Sequence, residues 1–66
     1  MTKFIEVTVC DSTVGDYLQL INISKIISVS PNLFNVGNVL SDIVMEEETI
    51  GVVESYGKLK KMILEA

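Results

Sequence analysis

The chain predicts a small α+β fold: an antiparallel β-sheet or half-open barrel of four to five short strands, with one C-terminal α-helix. Short β-branched runs broken by turn residues continue as far as Val53. Beyond Ser55 the apolar spacing lengthens to that of a helix, with Tyr56, Leu59 and Ile63 at i, i+3 and i+7 and Met62 beside them. The length, 66 residues, leaves room for a single domain over 1–66.

From Lys3 to Cys10 the chain alternates: Ile5, Val7 and Val9 point one way, and Phe4, Glu6 and Thr8 the other. This predicts a half-buried strand, with Phe4 on a second face that needs cover of its own. Residues 11–16 form a turn-rich link in which Gly15 can take a positive φ. Tyr17 to Ile23 is the second strand and makes a hairpin with the first. Asn22-Ile23-Ser24-Lys25 predicts a tight turn held by Asn or Ser side chains on the backbone.

Ile26 to Ser30 resumes as a third strand and ends before Pro31. Residues 31–38 contain three Asn, one Gly and one Pro, a loop composition, yet they also carry Leu33, Phe34 and Val36. Either this loop folds back on the sheet, or its tip is a contact element. Val39 to Glu48 reads two ways. As a helix, Val39, Leu40, Ile43 and Val44 share a face behind Asn38. As a strand, Ile43 and Met45 share a side, and Glu46-Glu47-Glu48 turns the chain into Thr49 to Val53. The strand is preferred, because β-branched residues cluster here and the run at 49–53 needs a neighbour to pair with. Gly51 within that run predicts a bulge or a close backbone approach. Ser55 is the expected N-cap of the helix.

A domain this small buries only about 60% of its unfolded surface, so its core is marginal without reinforcement. One cysteine, Cys10, rules out an intrachain disulfide, and the lack of histidine rules out an ordinary zinc site. A partner chain is left. Hydrophobic residues make up 48% of the chain and mean hydropathy is +0.46, an excess that predicts self-association as a homodimer.

Nine acids against five bases give a net charge of −4. That balance offers no basic stripe for nucleic acid or for an anionic membrane. Lys58, Lys60 and Lys61 read as a solvated helix face suited to the C-terminal end of the dipole. No apolar run approaches the roughly 20 residues that span a bilayer, and no signal-peptide core follows Met1, so a cytoplasmic location is expected.

Catalysis lacks its commonest general base, histidine. Cys10 closes a strand beside Asp11, which disfavours the thiolate. The turn acids lack both the spacing of a calcium loop and a cleft for acid–base work, and no phosphate loop is present. No enzyme activity, metal or cofactor is expected. The residues left for function are a partner-binding set: Leu33, Phe34 and Val36, with Glu46, Glu47 and Glu48 as an electrostatic contact for a basic protein surface.

Three segments, residues 4–8, 20–29 and 52–56, resemble the strand, LINxxxI-x-x-V and ES-helix layout of very small bacterial and phage proteins. Their named representative is the flagellar and swarming-motility family of FlbD type. The resemblance covers about two thirds of the chain. It departs at the Pro31 to Ser41 stretch and at the Glu triplet, which stands where the family has a turn glycine. It implies a small β-rich fold with a C-terminal helix and no enzymatic activity, and it transfers no site residue. The resulting expectation is a small protein that acts by protein–protein binding, of the kind a phage-encoded homodimeric inhibitor of a host defence protein would be. A structural or regulatory factor of the flagellar-motility type, or a protein that sequesters a small molecule, are the alternatives.

Overall fold

A computed structural model describes residues 3–34 and 37–66. In chain order it has β1 (Phe4–Val9), β2 (Tyr17–Asn22), one 3-10 turn (Ile23–Lys25), β3 (Ile26–Pro31), β4 (Ser41–Met45), β5 (Thr49–Val52) and α1 (Tyr56–Glu65). The strands form one antiparallel sheet in the order β2-β1-β5-β4-β3. The expected α+β class, a short-stranded sheet with one C-terminal helix, is the observed one.

The β1–β2 hairpin follows from period-two alternation. Ile5, Val7 and Val9 are buried, and Ile21 faces Ile5 across the ladder. The connecting turn is encoded locally: Asp11 Oδ1 accepts from the Thr13 and Val14 amides at 2.7 and 3.1 Å, and Gly15 takes φ +86°. Those two amides hold the Asp11 carboxyl below the usual carboxylate range.

At Asn22 the chain leaves β2. Its Oδ1 accepts from Ser24 N at 3.0 Å and Ser24 Oγ at 2.8 Å, which caps the 3-10 turn as the Asn-Ser pattern predicts. β2 and β3 are thus neighbours in sequence and opposite edges of the sheet. The four steps from Asn22 to Ile26 reach at most about 14 Å, so the sheet must curl until its edges nearly meet there. The result is a barrel left open along one seam.

Pro31 is the last residue of β3 rather than the residue after it, in register with Ser41. An edge strand tolerates it, because a proline without an N–H loses nothing on the unpaired side. Ile26 and Ser28 oppose the successive residues Met45 and Val44, so Ile27 is the extra residue of a bulge and is turned outward. Residues 41–52 form the strand pair and not the helix. Gly51 supplies a close approach rather than a bulge: register through it is unbroken, and an added Cβ would lie 3.0 Å from Val39 Cγ1.

Ser55 caps α1, its hydroxyl accepting from Lys58 N at 3.2 Å. The helix drives Leu59 into the core with Val7, Ile43 and Val52, all fully buried, and Met62 and Ile63 pack around them. Among the described residues no helix is long and apolar enough to cross a membrane.

The weakest seam of the sheet lies between β1 and β5. Only Val9 and Val52 are in register there, flanked by Cys10 N to Gly51 O and Val53 N to Thr8 O, each 2.9 Å. Glu54 braces this junction. Its carboxylate accepts from Thr8 N at 2.8 Å and Thr8 Oγ1 at 2.9 Å. Its carbonyl accepts from the hydroxyl of buried Ser41 at 2.8 Å.

Candidate functional site

The structure separates the residues that the sequence grouped as a partner-binding set. Leu33 and Phe34 are 80% and 83% exposed, so at these positions the β3–β4 loop does not fold back on the sheet. Val36 lies outside the described residues. The root of the loop is fixed: Asn32 N donates to Leu40 O, Asn32 Nδ2 donates to both Asp42 carboxylate oxygens, and Asn32 Oδ1 accepts from Phe34 N. Phe34 is therefore displayed from an anchored turn. Glu46, Glu47 and Glu48 form the β4–β5 turn, all exposed and closed by Met45 N to Glu48 O at 2.8 Å. The loop and the turn sit at opposite ends of β4, roughly 14 Å apart along a strand of five residues. They do not form one patch.

A second apolar surface lies on the outer face of the β1–β2 hairpin. The β1–β2 register sets Phe4 opposite Asn22, Glu6 opposite Leu20 and Thr8 opposite Leu18, all on the face turned away from the core. On it Phe4 is 53%, Leu18 65% and Leu20 63% exposed. The requirement that Phe4 find its own cover is legible in the sequence; none of the described residues supplies that cover.

The Glu turn has other neighbours. It forms one wall of a cleft of about 190 Å³, with Gln19, Leu20, Ile21 and Asn22 of β2 as the other wall, Met45 beside the acids and Lys25 at one end. Successive residues of a strand point to opposite faces. Gln19 to Asn22 are consecutive residues of β2, an edge strand that pairs with β1 alone among the described residues. The cleft lies between that strand and the β4–β5 turn, with no residue of β3 in its lining. It is small against the about 300–1,000 Å³ of ordinary small-molecule sites, which weighs against the sequestering alternative.

Cys10 is half-buried at the end of β1. The Asp16 carboxylate, accepting from the thiol, pushes it above the usual cysteine range. Partial burial and the charges of Asp16 and Asp11 add to this, and a backbone hydrogen bond from Asn38 opposes it. The sequence pointed to Asp11; the larger influence is Asp16, which the turn returns to Cys10. Asp16→Asn should raise the rate of iodoacetamide labelling at neutral pH several-fold, because reactivity follows the thiolate fraction. An unchanged rate would show that Asp16 does not govern this thiol. Among the described residues no three His, Cys, Asp or Glu side chains converge as a metal set.

No family model, curated protein or solved structure matches this chain.

Proposed function

We propose that the protein is non-enzymatic and acts by protein–protein binding, as a homodimer. The observation that carries this is the uncovered outer face of the β1–β2 hairpin, where Phe4, Leu18 and Leu20 share one side of the ladder. The total surface points the same way. A folded monomer of this mass exposes roughly 4,200 Å², whereas this chain exposes 4607 Å². A two-fold contact that lays one hairpin face against another covers the surplus and suits the commonest symmetry of small assemblies. In its finer form the proposal is a phage-encoded inhibitor that occludes a host protein. Small size, negative charge and the scarcity of catalytic groups support that form.

The mass in solution tests the proposal. Sedimentation at micromolar concentration should give a species of twice the 7.3 kDa chain. Leu18→Glu with Leu20→Glu should weaken the dimer at least about 100-fold, since two like charges then enter a desolvated contact on each side. A single-chain mass for the unmodified protein at high micromolar concentration would end the dimer reading. Genes for motility beside this one would favour the flagellar-type role over the inhibitor.

A further inference from the structure

We infer that the cleft between β2 and the β4–β5 turn is a docking groove for an extended, lysine- or arginine-bearing segment of another protein, which adds to the sheet as a strand beside β2. This rests on the protein-binding reading but uses a different surface from the hairpin face, and Leu20 and Asn22 border both.

The unpaired edge of β2 comes first. β2 hydrogen-bonds to β1 on one side only, so part of its backbone N–H and C=O groups face outward, a template for another strand. Gln19, Leu20, Ile21 and Asn22 of this strand all border the cleft. Its lining sets the apolar Leu20, Ile21 and Met45 beside the polar Gln19 and Asn22. At about 190 Å³ the space takes one long side chain rather than a compact ligand.

Charge selects the occupant. Glu46, Glu47 and Glu48 form the opposite wall, against one cation, Lys25. A second copy entering the groove through its own β2 edge would set two Glu triplets against each other, so like-charge repulsion disfavours self-pairing here. A lysine or arginine lays its aliphatic stem along Met45 and brings its cationic head to the acids. Main-chain pairing with β2 supplies the rest of the affinity, and the alternation of the incoming strand directs every second side chain to the groove.

The probe is an acetylated, amidated hexapeptide of alternating Lys and Val, added to the full chain and followed by amide chemical shifts. The expected result is saturable shifts confined to Gln19–Asn22, Lys25 and Met45–Glu48, weakening as salt rises. The triple variant Glu46→Gln, Glu47→Gln, Glu48→Gln should lose about tenfold in affinity. The same peptide N-methylated on alternate backbone nitrogens should lose binding, because strand pairing needs its donors. Equal binding of the N-methylated peptide, equal binding of a Glu-Val counterpart, or shifts spread over Asp11, Asp16 and Asp42 would each overturn the inference. So would β2 edge amides protected by self-association before any peptide is added. A peptide that fails to bind a protein still sedimenting at twice the chain mass refutes the groove and leaves the dimer standing.

Discussion

Leu59→Ala is expected to remove most of the protein's stability at room temperature. Leu59 is the one fully buried residue of α1, and it meets Val7, Ile43 and Val52 from the sheet. Truncating such a leucine costs about 2–5 kcal/mol through lost transfer energy and the cavity left behind. A core in a domain below about 70 residues rarely supplies more than about 3–5 kcal/mol. The loss therefore takes most of what holds the fold. Partial collapse offers little relief, because a ten-residue helix is marginal without its packing face. Urea unfolding followed by circular dichroism checks this, with Leu64→Ala as reference. Leu64 lies on the same helix but is 73% exposed, so its loss should move stability by no more than about 0.5 kcal/mol. Equal midpoints for the two variants would mean that Leu59 is not what fastens the helix to the sheet.

What was legible in the sequence was the part that local chemistry decides. Alternation in β1, the positive φ at Gly15, the Asn22–Ser24 turn and the Ser55 cap each depend on residues within four positions of one another. The segment at 41–52 was resolved by a weaker argument, the need of one β-branched run for a partner, and the structure supplies it as the β4–β5 ladder. The β1–β5 junction could not be read. It joins residues more than forty positions apart through a single registered pair, and no local pattern marks it.

The separation of Phe34 from the Glu turn was hidden for the same reason. Phe34 and Glu46 are close in sequence, and composition marked both as unusual: apolar residues within a loop, and a charge run within a turn. Whether they share a surface depends on β4 between them, and an extended strand holds its two ends apart. Edge status is equally hidden. That β2 has a free side follows from the long-range sheet order, so the groove beside it could not be seen from the β2 residues alone. The uncovered hairpin face lay nearer to view. Phe4 was flagged, and adding Leu18 and Leu20 required only the hairpin register.

Glu54→Ala is expected to lower stability by about 2 kcal/mol, the loss of two hydrogen bonds to a charged acceptor with one partly buried amide left unpaired. In a domain of this size that corresponds to a fall in Tm of about 10 °C. The position matters more than the bonds themselves. The β1–β2 hairpin and the β3–β4–β5 meander are joined by Val9 with Val52 and two flanking backbone hydrogen bonds. The Glu54 carboxylate adds two more at the same corner, both from Thr8. Removing it should loosen one half of the barrel from the other before either half melts. Amide exchange would then accelerate at Thr8, Cys10 and Val53 more than in the β3–β4 ladder. Thr8→Val tests the brace from the other side: it deletes the hydroxyl donor, keeps the amide donor, and should cost about 1 kcal/mol. A Glu54→Ala protein as stable as one carrying Glu65→Ala, with exchange unchanged at the corner, would show that the short backbone junction holds the halves together unaided.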